Sequence, residues 1–258
     1  MKVSVITTSF NSVATIRDTI ESVLRQTYGD LEYIIVDGAS TDGTVPLVES
    51  YAPRFGPRLR YVSEPDGGIY DAMNKGIRMA TGDVVGFLNS DDFYTSPDAV
   101  AALVAELERT GADAVYADIH FVNDGDLTKC VRYYSSAVFR RPLMRLGFMP
   151  AHPSFYARRK VYEDYGTFDT SFRVAADFEN LLRLIYVNRI RTTYIKKDVV
   201  TMRTGGASTA GFASRKTIMG DHLRALRKNG VYSNFFILSL RYVYKLYEMW
   251  FMKNPAGN

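Results

Sequence analysis

The sequence predicts an α/β protein, with a mostly parallel, Rossmann-like central sheet flanked by helices and a helical C-terminal extension. Through the first 120 residues, apolar β-branched runs alternate with stretches of helical period. Clusters of Gly, Asn, Ser and Asp follow those runs, where the carboxyl ends of parallel strands carry ligand sites. An apolar share of 47% over 258 residues is enough for a sizeable core.

Residues 3–8 (VSVITT) are a β-branched run that reads as a strand. Residues 15–28 set Ile16, Ile20, Val23, Leu24 and Thr27 at helical spacing, with Thr15 and Asp18 placed like a capping box. A short strand at 33–36 follows, then a helix beginning at Asp42, a strand at 59–62 and a helix over 69–80. An apolar strand covers 84–88, Pro97 opens a helix through Leu107, and 114–116 form a fifth strand. After Asp118 the period breaks, and 119–157 read as short strands and loops. Helices resume near Val161, at 178–186 and at 214–228. With no internal repeat or low-complexity linker, the chain divides into one domain over 1–230 and an extension over 231–258.

The net charge of +4 conceals a division along the chain. Residues 1–127 carry 9 Lys/Arg against 20 Asp/Glu, a net −11, and residues 128–258 carry 23 against 8, a net +15. The basic residues are scattered and follow no groove-reading motif, which argues against a nucleic-acid partner. Cys130 is the only cysteine, so no internal disulfide forms, and this fits a reducing compartment. The opening MKVSVITTSF lacks a basic region followed by a long apolar run, so a cytoplasmic protein is expected.

The strongest local signal is Leu88-Asn89-Ser90-Asp91-Asp92, directly after an apolar strand. Adjacent acids there need counter-charge if buried, and oxygen ligands suit Mg²⁺ or Mn²⁺ bridging to a diphosphate. A solvated turn before the next helix gives the same pattern. In Glu64-Pro65-Asp66-Gly67-Gly68-Ile69 two glycines enter a helix, so its first N–H groups are expected to be open to an anion. On that helix Ile69, Met73, Gly76, Ile77 and Ala80 form the inward stripe, and Asp71, Asn74, Lys75 and Arg78 a polar face for ribose, sugar and phosphate, or simply for water. Thr7-Thr8-Ser9-Phe10-Asn11 and Val36-Asp37-Gly38-Ala39-Ser40 end the first two strands, where an aromatic and an acid could hold a base. Neither has a dinucleotide or P-loop glycine pattern.

Together, VSVITTSFN, VDGASTDGT, EPDGGIYDAMNKGI and GDVVGFLNSDD resemble the donor-binding half of family 2 glycosyltransferases of the GT-A fold. The resemblance covers about residues 1–120, in order and at family-like spacing. It implies that Thr8, Ser9 and Phe10 contact base and ribose, with Phe10 stacking, and that Asp37 bonds the base, usually uracil. It places Asp71, Asn74 and Lys75 at donor sugar and phosphate, with Asp91 beside them. Asp91 and Asp92 fall in the Asp-x-Asp region for a divalent cation, Mn²⁺ or Mg²⁺, with Asp92 as the direct ligand. Asn89 stands where many members have another acid. In the looser second half (121–230), Arg173-Val174-Ala175-Ala176-Asp177 resembles the segment of the catalytic base, with Asp177 in that position. A helix cap is the competing reading of this Asp. His152, in a segment resembling the acceptor-side strand, and the loop 205–209 complete the candidates.

The expected reaction is transfer of a sugar from a nucleotide-diphosphate donor to an acceptor hydroxyl with inversion. An inactive nucleotide-sugar-binding module and a sugar-phosphate nucleotidyltransferase are the alternatives. Residues 235–252 are apolar and aromatic, interrupted by Arg241, Lys245 and Glu248. That pattern suits a helix lying on a membrane, though a dimer seam or packing on the domain gives it too, and the longest uncharged run, 230–240, is too short to span a bilayer. With the basic half, it points to a lipid-linked saccharide acceptor in bacterial surface-polysaccharide assembly and to a peripheral site on the cytoplasmic face.

Overall fold

The structure, a computed structural model, describes residues 1–205 and 212–241. Four strands form the parallel side of the sheet: β1 (Val3–Ser9), β2 (Leu31–Asp37), β3 (Leu59–Ser63) and β4 (Val84–Phe87), in the order β3-β2-β1-β4. Helices α1 (Ile16–Leu24), α2 (Thr44–Phe55) and α3 (Ile69–Met79) connect them. Every residue of β1, β2 and β4 is buried, as expected of parallel strands covered on both faces. Successive side chains alternate between two cores. Val3, Val5, Tyr33 and Ile35 pack with α1, α2 and α4 (Ala99–Thr110), whereas Ile6, Ile34 and Val36 pack with α3 and the helices of the second half. Gly76 seats α3 on β1, because a Cβ there would lie 2.4 Å from Ile6 Cγ2.

Beyond β4 the sheet continues through β8 (Tyr156–Arg158), β6 (Ala114–Asn123), β9 (Thr192–Arg203) and β5 (Phe93–Tyr94). The expected fifth strand is therefore not the parallel neighbour of β4; β8 lies between them, antiparallel to both. β6 is also longer than its apolar core suggests, since it turns directly into the hairpin partner β7 (Asp126–Tyr134). Helices α5 (Arg159–Tyr165), α6 (Ala176–Leu181) and α7 (Phe212–Lys228) cover this half, and α6 runs on as a wider π-helical stretch over Leu182–Val187.

Three local expectations are corrected. Thr15 makes no capping hydrogen bond, and Asp18 instead pairs with Arg203, so no capping box forms. Ile69 is exposed and Tyr70 takes the inward position, because the helix enters with Gly68 at φ +110°. In the C-terminal stretch, residues 235–241 are helical, with Leu238 fully buried and Arg241 turned inward to donate to His222 Nδ1 at 2.7 Å. Arg241 thus does not belong to an outer polar stripe, while Phe235, Phe236 and Leu240 are exposed. Residues 206–209 of the expected loop and 242–252 of the expected amphipathic helix lie outside the described residues.

Candidate active site

The register of the parallel strands sets Ser9, Asp37 and Ser63 side by side at their carboxyl ends. Thr8, also near the end of β1, is buried. Asp37 is 2% exposed and accepts from Ser9 Oγ at 2.9 Å, Ser63 Oγ at 2.7 Å, and Ser40 N and Oγ at 2.8 and 2.5 Å. Burial opposes its charge, but the bonds from Ser40, Ser63 and Ser9 outweigh it and hold the carboxyl below the usual carboxylate range. These four donors occupy the acceptor positions of a carboxylate. Asp37 thereby anchors the loop after β2, and a base N–H would reach it only by displacing a hydroxyl.

The loops after β1 and β2 are laced together. Ser40 Oγ accepts from Asn11 N at 2.7 Å, Asn11 Oδ1 from Thr41 N at 2.9 Å, and Asp42 Oδ2 from Val13 N at 3.0 Å. These bonds hold Asn11 and Ala39 at φ +48° and +62°, which costs a non-glycine residue about 1–2 kcal/mol each. Phe10 stands out of this frame with 66% of its surface exposed. Beside it lies Asp66, which sequence reasoning did not assign to the site. A Cβ on Gly38 would meet Asp66 Oδ2 at 2.8 Å and Phe10 Cδ2 at 3.3 Å.

Ahead of α3, Gly68 N donates to Asp66 Oδ1 at 2.8 Å and Gly67 N to Asp71 Oδ2 at 3.0 Å, so the amides of the two glycines that lead into the helix are already bonded. Lys75 binds Glu64 at 2.9 Å and lies 3.8 Å from Asp71, on the outer side of the helix. Asn74 is not on the polar face. It is 6% exposed, donating to Phe168 O at 2.8 Å and accepting from Phe168 N at 2.9 Å. One donor and one acceptor of its carboxamide join the two halves, a structural role beside the donor contact expected of it.

The turn after β4 carries Asn89, Asp91 and Asp92. It is tied to β1 by Thr7 Oγ1 donating to Leu88 O at 2.6 Å and to the loop after β1 by Ser90 Oγ donating to Ser12 Oγ at 2.9 Å. Asp92 is 1% exposed and Asp91 half-buried. Burial, then the charge of Asp91, pushes the Asp92 carboxyl well up, and burial raises Asp91 as well. Asp92 Oδ1 and Asn89 Oδ1 have no hydrogen-bond partner. Orphaned hard oxygens beside two desolvated carboxyls fit a divalent cation. Among the described residues no group of three His, Cys, Asp or Glu could hold a metal, so Asp91 and Asp92 would supply part of a shell completed by phosphate oxygens and water. Arg203 flanks them, clamped by Asp18 and Asp124 and lying over the Phe93 ring.

Asp177 sits in the first turn of α6, whose N-cap is Ala175, so Asp177 is not the cap. Its Oδ1 accepts from the adjacent Phe178 N at 2.8 Å. Burial pushes its carboxyl up to about 6, against the bond from Phe178 N and the dipole of the nearby Tyr70 hydroxyl. Tyr70, from the first turn of α3, donates to Val174 O and stacks on Phe168, linking the donor-side helix to this acid. His152 is instead a core ring, stacked on Phe87 at 5.7 Å and pushed down to about 4 by burial.

Solved structures share this architecture and show the fold. Residues 1–349 of S. aureus TarS in complex with UDP-GlcNAc match with a TM-score of 0.72 at 19% identity, over 93% of this chain and 71% of that one. The mannosyltransferase PcManGT of Pyrobaculum calidifontis, in complex with GDP-Man and Mn²⁺, matches with a TM-score of 0.63 at 18% identity, over 97% and 81%. The fold is GT-A. The pattern of Glycosyl transferase family 2 matches residues 4–170, and the chain belongs to that family. Among similar proteins, a PGL/p-HBAD biosynthesis glycosyltransferase of Mycobacterium bovis is 30% identical over 204 residues, 79% of this chain and 77% of that protein.

Proposed function

We propose that this glycosyltransferase is an inverting, divalent-metal-dependent hexosyltransferase that uses a UDP-linked sugar. The observation that carries the reading is Asp177, a carboxyl raised to about 6 and joined through Tyr70 to the helix beside the donor strand ends. Such a group is largely ionised at neutral pH yet basic enough to take a hydroxyl proton, an effect worth about 10²–10⁴-fold in rate. Phe10 offers an exposed face to the base, beside Ser9 and the loop that Asp37 anchors. Asp71 and Lys75 would orient donor sugar and phosphate from the outer face of α3. Asp91 and Asp92 would hold the cation, which when bound neutralises charge on the departing nucleoside diphosphate. Asp177 then accepts the proton of an acceptor hydroxyl that approaches from the side opposite the diphosphate, which gives inversion. The UDP-GlcNAc complex of TarS supports the donor class, and the Mn²⁺ complex of PcManGT supports the cation.

The acceptor in this reading is a lipid-linked saccharide of bacterial surface-polysaccharide assembly, met on the cytoplasmic face of the membrane. Its support is the net +15 of residues 128–258 together with exposed Phe235, Phe236 and Leu240. No helix among the described residues is long and apolar enough to cross a membrane, so the contact is peripheral. A screen of nucleotide-sugar hydrolysis with and without Mn²⁺, on wild type and Asp92→Asn, tests the core of the proposal. Turnover that requires the ion and is lost in the variant is expected; wild-type turnover undiminished by EDTA overturns the metal assignment.

A further inference from the structure

On the side of the sheet covered by α6, a cavity of about 430 Å³ opens between β6, the turns that follow β7 and the helical run of α6. Phe139, Ile185 and Ile190 are buried and give it an apolar floor, while Arg140 and Arg141 stand exposed at its edge. No acid is among its described lining residues. Arg140 donates to the carbonyls of Ala137 and Phe139 at 2.8 and 2.7 Å, which fixes its guanidinium without neutralising it. Asp177 and Ile185 lie on the same helical run, which puts this wall roughly 10–12 Å along the axis from the proposed base.

Three tyrosines meet beside the cavity. Tyr133 and Tyr194 both donate to Asp118 Oδ2, at 3.0 and 2.9 Å. Tyr116 packs its ring against Phe139 and Tyr194 and is only 7% exposed, yet no hydrogen bond among the described residues engages its hydroxyl. Burial raises that hydroxyl, and the nearby positive charge of Arg140 works against the rise. A buried phenol normally has a partner. Here the phenol and two guanidinium groups border one apolar hollow, a set of donors without an acceptor.

We infer that this cavity binds a lipid phosphate, with the phosphate on Arg140, Arg141 and the Tyr116 hydroxyl and the start of the chain on Phe139, Ile185 and Ile190. The inference rests on the lipid-linked acceptor reading above, and gives the anchor of that acceptor a place apart from the reacting hydroxyl. Guanidinium groups and a phenol match phosphate oxygens. An uncharged headgroup would leave both cations unanswered, and inorganic phosphate would leave the floor bare.

Calorimetric titration with octyl phosphate, inorganic phosphate and octyl glucoside, each below its micellar concentration, tests this on wild type, Tyr116→Phe and Arg141→Ala. Wild type is expected to bind octyl phosphate at least about a hundredfold more tightly than inorganic phosphate, since each buried methylene is worth about fourfold. Octyl glucoside, with the same chain, should bind about tenfold or more weaker than octyl phosphate. Each variant should lose about tenfold for octyl phosphate alone, the scale of one hydrogen bond to a charged group. Because Arg141 is exposed, Arg141→Ala should melt with wild type. Equal affinity for the two octyl compounds, or unchanged binding in both variants, overturns the site. Loss of octyl phosphate binding on changing Phe235 and Phe236 to Ser would move the ligand to those rings and overturn it too. If Arg141→Ala weakens attachment to phosphatidylglycerol vesicles as much as it weakens octyl phosphate, the occupant is a bulk membrane headgroup and the acceptor assignment fails. Vesicle attachment indifferent to Phe235, Phe236 and Arg141 alike would sink the membrane reading by itself, because octyl phosphate binding is read in solution.

Discussion

The carboxamide of Asn74 grips the backbone of Phe168 from both sides, giving a hydrogen to its carbonyl and taking one from its amide. The two residues are 94 positions apart, and Phe168 packs under Tyr70 and against Phe87, so this pair pins α3 to the segment leading to Asp177. Asn74→Ala is expected to lower unfolding free energy by about 2–4 kcal/mol, since it strands two buried backbone groups. Denaturant titration measures this. A variant as stable as wild type, with donor affinity lost, would return Asn74 to the donor site.

Asp177→Asn is expected to retain nucleoside-diphosphate affinity and lose transfer by about 10²-fold or more. In the wild type the rate should fall as pH drops through about 6, because the base works only when ionised and burial sets its carboxyl there. Calorimetry alongside a pH–rate profile checks both. Near-normal transfer by the variant would remove Asp177 from the chemistry.

Tyr70→Phe keeps the ring on Phe168 but removes a hydroxyl that favours the charged form of Asp177. The acid limb of the pH–rate profile is expected to move to higher pH, with donor affinity little altered. A limb that stays in place while only the melting temperature falls would reduce Tyr70 to a packing residue.

Glu32 lies at the opposite end of β2 from Asp37 and is 4% exposed. It accepts from Ser4 Oγ at 2.6 Å, Thr81 N at 2.6 Å and Thr81 Oγ1 at 2.7 Å, and pairs with Lys2 at 2.9 Å. Burial opposes its charge, but these bonds prevail and hold the carboxyl at about 2. A depressed carboxyl stabilises the fold above its unfolded value of about 4.5 and loses that contribution as pH falls toward 2. Glu32→Gln should therefore cost about 2–3 kcal/mol at pH 7, with the gap to wild type closing in acid. A pH-independent gap in chemical denaturation would contradict it.

Phe235 and Phe236, 58% and 80% exposed, are the described part of the proposed membrane contact. Changing both to Ser should release the protein from anionic vesicles in a sedimentation assay and leave donor hydrolysis intact, because neither ring supports the core. Unaltered vesicle binding would disqualify this surface.

The donor-side strands were readable because strands buried on both faces appear as unbroken apolar runs, each ended by the polar residues of the site. That the loops after β1 and β2 lie at neighbouring strand ends followed from the same runs, while the pairing of Ser9 with Asp37 came from the register. Asn74 was read on the polar face, and Ile69 rather than Tyr70 on the inward stripe, because helical spacing shows which residues share a face, but not what packs against it. The partners Phe168 and Val174 come from about a hundred residues later. Asp66 was concealed by register: only the pairing of β2 with β3 brings its loop over Gly38. β8 could not be found at all, as three residues carry no period.

The position of β8 constrains how the chain is born. Until residue 158 has left the ribosome, the nascent first half presents the edge of β4 with nothing to pair it, and β6 has only its hairpin partner β7. An unpaired edge on an already apolar sheet invites pairing with another nascent chain. The last sheet partner, β9, arrives only at Thr192–Arg203, so closure is late and non-local, which favours slow folding. Expression of residues 1–120 alone should give insoluble protein, whereas slowing elongation ahead of β8 should lower the soluble yield of the whole chain.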